Sequence, residues 1–158
     1  MATRKPDIYE ITADWDVFTG GPPVVGALGT YWPTTVDALV EEDGEAGTRA
    51  LICWAIHGDG LAELVSVHAE PPGVGAGARL IEAVERRLAG AGVRKIVVAT
   101  TNDNTGALAF YQRQGYRLVE VRLDFMDTVR AAKPAVPIEG NGGIPLRDLW
   151  VLEKALER

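Results

Sequence analysis

Residues 61–69, LAELVSVHA, carry only three polar side chains, Glu63, Ser66 and His68, and a run this short and this apolar reads as a central strand buried on both faces. Polar groups in such a strand require partners. The period then changes. Leu80, Ile81, Val84 and Leu88 fall on one side of a helix, with Arg79, Glu82, Arg86 and Arg87 on the other, and Glu82 and Arg86 stand in the favourable i, i+4 order. The helix stops at AGAG, residues 89–92, and RKIVVAT, residues 94–100, is a β-branched run of the kind found in buried parallel strands. Strand, helix and strand make a right-handed crossover whose helix begins at the carboxyl end of the first strand, the end where ligands bind.

On the amino-terminal side, Ile8, Glu10, Thr12 and Asp14 alternate with Tyr9, Ile11, Ala13 and Trp15, and this period of two predicts a half-buried strand over residues 8–16. Residues 19–33, TGGPPVVGALGTYWP, are interrupted too often by Gly and Pro for a regular element; they predict a surface loop whose Tyr31 and Trp32 either pack on the core or cover a ligand. Turn chemistry at residues 41–47, EEDGEAG, and 57–60, HGDG, separates residues 36–40, 49–57 and 61–69 into antiparallel strands. Past Tyr116, residues 117–125 alternate as a strand, 126–133 suit a short helix, and 146–152 suit a last strand.

The chain of 158 residues fits one domain over residues 1–158, and its 47% hydrophobic and 24% charged residues are those of a globular protein. A net charge of −6 argues against a general grip on nucleic acid. One cysteine, Cys53, allows no internal disulfide and no C-x-x-C zinc site, so no metal is expected. MATRKPD lacks the apolar run of a signal peptide and no stretch approaches a membrane span, which together predict a cytoplasmic protein with no membrane partner.

The chemistry concentrates at EPPGVGAGARL, residues 70–80, where Gly73, Gly75 and Gly77 crowd the start of the helix. A helix amino terminus offers unpaired N–H groups and partial positive charge, and glycines let a phosphate approach them closely. The spacing meets neither the P-loop nor the dinucleotide pattern, which leaves another phosphate loop or simple close packing. A second segment, TTNDNTGALAFYQRQGY at residues 100–116, predicts a helix capped by Asp103 or Asn104, faced inward by Ala107, Leu108 and Tyr111, and ended by Gly115. Tyr111 alone reads first as a core tyrosine.

Together the two segments resemble the GNAT superfamily of acyl-CoA-dependent N-acyltransferases. Pro72, Gly73, Val74, Gly75, Ala76 and Gly77 match its first hallmark, and Asn104, Ala107, Phe110, Tyr111, Gly115 and Tyr116 match its second, in order and with a strand between. The resemblance covers residues 51–116 and implies a mixed α/β fold: a mostly antiparallel sheet containing two splayed parallel strands, with flanking helices. It implies acetyl-CoA as acyl donor, held by residues 72–77 together with Val67, Asn104, Ala107 and Tyr111, and a primary amine as acceptor. Pro72 stands where the family usually has Arg or Gln, and Val74 where a basic residue is common, so the phosphates fall to backbone amides and more distant Arg residues.

The resemblance assigns Tyr111 as general acid for the leaving thiolate and an amide near Val67 as the group that polarises the carbonyl. Glu63 is the expected base, with His68 and Glu70 as alternatives; Glu63 also reads as a surface carboxylate paired with an Arg. Arg130, Lys133, Glu139, Arg147 and Asp148 flank the long loop 132–148 and either recognise the acceptor or form surface pairs. A non-catalytic acyl-CoA sensor and a nucleotide-binding protein are the competing functions, and pairing of edge strands near the carboxyl end would make a homodimer.

Overall fold

A computed structural model describes residues 2–156. Its strands are β1 (Ala2–Arg4), β2 (Val24–Val25), β3 (Thr30–Tyr31), β4 (Asp37–Asp43), β5 (Thr48–Ile56), β6 (Leu61–Glu70), β7 (Lys95–Thr101), β8 (Arg117–Arg122) and β9 (Leu149–Ala155). The helices are α1 (Ile8–Phe18), α2 (Ala76–Gly90), α3 (Thr105–Arg113) and α4 (Phe125–Ala132). Seven strands form one mixed sheet in the order β1-β4-β5-β6-β7-β9-β8, and β2 pairs with β3 in a separate hairpin. The pair β6 and β7 is parallel and every other named pair is antiparallel.

The segment expected as a strand over residues 8–16 is a helix. Asp7 and Glu10 form a capping box: the Glu10 amide donates to the Asp7 carboxylate at 2.8 Å and the Asp7 amide donates to Glu10 at 2.9 Å. The buried positions Ile11, Asp14 and Trp15 keep helical spacing, which the apparent alternation concealed. The loop expected over residues 19–33 contains the β2–β3 hairpin, with Tyr31 buried on the core and Trp32 half-exposed.

The sheet is covered on both faces. On one, Leu80, Ile81, Val84 and Leu88 of α2 and Tyr111 of α3 join Leu39, Ile52, Trp54, Leu64 and Leu152 in a single cluster. Fully burying such a side chain contributes roughly 1.5–3 kcal/mol, and this seam fixes α2 against the sheet. On the other face, Ile11 and Trp15 of α1 and Tyr31 of β3 pack on Val40, Leu51 and Cys53.

One irregularity positions the site. The register of β5 against β6 slips, with Trp54 opposite Leu64 but Cys53 opposite Ser66, so Val65 is the extra residue of a β-bulge. Ala62 and Leu64 face α2, whereas Val65 packs with the α1 cluster and Ser66 accepts a hydrogen bond from the Trp15 indole at 3.0 Å. The bulge reverses the alternation, so His68 meets α1 and Val67 meets the α2 side. Pairing of β6 with β7 also ends here: it runs from Leu61↔Lys95 to Leu64↔Val98, although β6 continues to Glu70 and β7 to Thr101. Beyond the bulge the two parallel strands part.

Candidate active site

A cleft of about 710 Å³ opens where the strands separate. Val67 and His68 of β6, Thr100 of β7, Asn104 just before α3, and Ala107 and Tyr111 of α3 line it. Beyond them its wall is made by the β2–β3 hairpin, α4 and the segment after α4.

The glycine loop lies at the start of α2. Gly73 and Gly75 have φ of +84° and +82°, a left-handed backbone that glycine adopts without strain, and Gly75 caps the helix with no side-chain hydrogen bond. The first helical hydrogen bond runs from the Arg79 amide to the Gly75 carbonyl at 3.1 Å, so the amides of Ala76, Gly77 and Ala78 precede the ladder. Pro72, Gly73, Val74 and Gly75 are exposed, while Ala76 and Gly77 are buried. A Cβ on Gly77 would lie 3.5 Å from the Phe110 ring and 3.7 Å from Val67, so this glycine seats the helix start against both α3 and β6. Arg79 braces the loop, donating to Glu41 at 3.0 Å and to the Val74 carbonyl at 3.3 Å.

Tyr111 is 7% exposed and lines the cleft. Its ring packs edge-on against Phe110 and Tyr116. Burial pushes its phenol above the ordinary tyrosine value, so the hydroxyl holds its proton at neutral pH. Asn104 caps α3 by accepting from the Ala107 amide at 3.1 Å.

The three base candidates occupy different environments. Glu70 ends β6 in solvent, opposite Arg49. Glu63 is wholly buried and is not among the residues lining the cleft. Its carboxylate accepts from the Ala27 amide at 2.6 Å, the Leu28 amide at 3.0 Å and the Tyr31 hydroxyl at 2.6 Å, and Tyr31 continues the chain to His57 Nε2 at 2.7 Å. A Cβ on Gly26 would lie 2.6 Å from that carboxylate, so the hairpin closes over Glu63 only with glycine there. His68 lines the cleft, stacks on Phe18 with ring centroids 4.4 Å apart, and meets Asp14 through Nδ1 at 2.7 Å. A carboxylate only accepts, so Nδ1 carries a proton and the neutral ring keeps its lone pair on Nε2.

Burial raises the Glu63 carboxyl above the usual glutamate range, opposed by its hydrogen bonds to Tyr31, Leu28 and Ala27. A carboxyl raised in the folded state stabilises the fold while protonated and loses that contribution as pH climbs from the ordinary glutamate range through the folded value. Glu63→Gln cannot ionise. Its stability relative to wild type, read from urea midpoints, is expected to improve between about pH 4 and about pH 7; parallel pH dependences would contradict the direction of the shift.

The acetyltransferase (GNAT) family model matches residues 22–116, more than half of the chain and all of the elements that open the cleft. The chain belongs to the GNAT acetyltransferase family. This GNAT chain is 31% identical to the uncharacterized protein YxbD of Bacillus subtilis (strain 168) over 147 residues, covering 93% of this chain and 92% of that protein. Among solved structures, an IAA acetyltransferase from Bacillus cereus superposes with a TM-score of 0.74 at 18% identity, covering 98% of this chain and 99% of that one. A Bacillus subtilis acetyltransferase in complex with CoA gives 0.71 at 16% identity, covering 98% of each chain. A GNAT family acetyltransferase from Elizabethkingia anophelis with acetyl-CoA bound gives 0.72 at 16% identity, covering 98% of this chain and 97% of that one. The parted parallel strands and the helix α2 behind them are the GNAT fold expected from the two sequence segments.

Sequence reasoning missed Asp14, which it placed on a strand, and the hairpin's hold on Glu63. The capping box at Asp7 and Glu10 was the local signal that would have put Asp14 and Trp15 on one helical face.

Proposed function

We propose that the protein transfers an acetyl group from acetyl-CoA to a primary amine, with Tyr111 as general acid and His68, oriented by Asp14, as general base. The observation that carries this reading is the end of β6–β7 pairing at Leu64↔Val98, which opens strand edges into a cleft that Tyr111 and His68 both line.

The residues present suit a CoA-type donor. The open amides of Ala76 and Gly77, and the loop glycines before them, favour an anionic pyrophosphate at the start of α2. No basic side chain replaces the missing one at Pro72 within the loop itself, since Arg79 is engaged with Glu41 and Val74. The edge of β6 that faces β7 beyond Leu64, where Val67 lies, suits an amide-containing arm and a thioester carbonyl. Asn104 and Ala107 flank the same passage from α3.

When bound, acetyl-CoA supplies the acyl group as a thioester. His68 takes a proton at Nε2 from the ammonium form of the acceptor, which frees the nitrogen lone pair for attack. Asp14 holds the ring in the tautomer that allows this and balances the charge it acquires. Tyr111 gives its proton to the departing sulfur, a role suited to a phenol kept neutral by burial. Glu63 acts at a distance by anchoring the hairpin wall through Ala27, Leu28 and Tyr31. No helix among the described residues is long and apolar enough to cross a membrane.

Calorimetric titration with acetyl-CoA, with ATP as control, tests the donor site. Saturable binding of acetyl-CoA at micromolar concentration with no heat from ATP is expected; tighter binding of ATP would transfer the glycine loop to a nucleotide-binding function. Binding of acetyl-CoA without turnover of any amine would make the chain an acyl-CoA sensor.

A further inference from the structure

On the side away from α2 the cleft is walled by Pro22, Pro23, Val25, Met126, Val129 and Val136, an apolar surface suited to an apolar body. Into this wall comes one ammonium. Lys133, the residue after α4, lines the cleft half-buried and donates from Nζ to the carbonyls of Thr19 at 3.1 Å and Gly21 at 2.7 Å. These bonds use two of its three N–H groups. No carboxylate among the described residues pairs with it.

Asp103, the acidic residue among those that line the cleft, is already engaged: it accepts from the Thr101 hydroxyl at 2.5 Å and from the Asn141 amide at 2.9 Å. An ammonium in an apolar wall without a counter-ion is unfavourable until an anion arrives. Desolvation, acting without an opposing carboxylate, pulls the lysine below its ordinary pKa. The position of this cation relative to the base narrows the acceptor further. His68 stacks on Phe18, and Lys133 holds the carbonyl of Thr19, the next residue in the chain. Proton acceptor and cation are therefore anchored on consecutive residues at the end of α1.

We propose that the acceptor is an apolar amino acid, its amine at His68 and its carboxylate on the third N–H of Lys133, with its side chain against the hairpin and α4. The proposal rests on the acetyltransferase reading above. In the reaction His68 takes one proton from the ammonium, the freed nitrogen forms a C–N bond to the acetyl carbonyl carbon as the C–S bond breaks, the Tyr111 proton goes to sulfur, and the second proton lost by nitrogen returns to Tyr111 through solvent. N-acetyl amino acid and free CoA thiol result, with no change of oxidation state.

The test compares leucine with 3-methylbutylamine, the same molecule without its carboxylate, by thiol release in the presence of acetyl-CoA. It is paired with calorimetric binding of N-acetyl-leucine and N-(3-methylbutyl)acetamide to the CoA-loaded protein, which needs no turnover. In wild type the carboxylate-bearing member of each pair is expected to be favoured about 10- to 100-fold, the range of a charge-assisted hydrogen bond. In Lys133→Met, with circular dichroism confirming the fold, both ratios are expected to collapse to within about threefold of unity, whereas Lys133→Arg restores part of the preference.

Wild-type protein that treats the members of both pairs alike overturns the proposal, even if Lys133→Met fails to fold. A preference that survives intact in folded Lys133→Met also overturns it and leaves Lys133 as a strut between α4 and the end of α1. Thiol release indifferent to the carboxylate would leave the acetyltransferase reading standing. Carboxylate-dependent binding without thiol release under any condition would support the site and sink the catalytic reading.

Discussion

Tyr111→Phe is expected to lower kcat/KM for acetyl transfer by about 10²- to 10³-fold, the usual contribution of a positioned proton donor. Acetyl-CoA affinity should stay within about twofold, because the ring that packs between Phe110 and Tyr116 is retained and only the hydroxyl is lost. The hydroxyl makes no hydrogen bond among the described residues, so its removal leaves no buried partner unsatisfied and should cost little stability. Parallel measurement of kcat/KM, acetyl-CoA binding and thermal unfolding separates the roles. A loss of folding with unchanged kcat would mean that Tyr111 belongs to the core and not to the chemistry.

His68→Asn should produce a loss of similar size, about 10²- to 10³-fold in kcat/KM. An asparagine amide can take the place of Nδ1–H against Asp14, so the buried carboxylate keeps a partner, but no basic nitrogen remains. One feature marks the loss as catalytic: the deficit should narrow as pH rises, since a free amine needs no base. Asp14→Asn should fall between, about tenfold down, because the ring loses its orienting carboxylate while Nε2 survives. Activity within severalfold of wild type in His68→Asn, with an unaltered pH profile, would return the role of base to Glu63 or to water.

The crossover β6, α2, β7 and the motif helix α3 were legible because their signals are local: a change of apolar period, a glycine cluster and an asparagine cap within a few residues of the elements they define. The first helix was misread for a local reason too. Alternation over eight residues outweighed a capping box that lies one turn earlier. What decides the site chemistry was not legible. The bulge at Val65 exists only in the pairing of β5 with β6, and without it His68 would face α2. The partner of His68 lies 54 residues away. The sequence favoured Glu63 as base, with His68 and Glu70 as alternatives, but its burial beneath the hairpin depends on Gly26, a residue that carries no chemical signal of its own. The placing of β9 between β7 and β8 is likewise a long-range result, hidden in two strands that read alike.

Amine-dependent release of free CoA thiol from acetyl-CoA tests the central claim most directly. The one protein thiol, Cys53, is fully buried and its pKa is pushed up to about 12, so a thiol reagent reports the product and not the enzyme. Release that saturates with amine, matches the acetylated amine mole for mole and drops in both Tyr111→Phe and His68→Asn is the predicted result. Saturable acetyl-CoA binding with no release across a broad set of amines, apolar amino acids included, would contradict it.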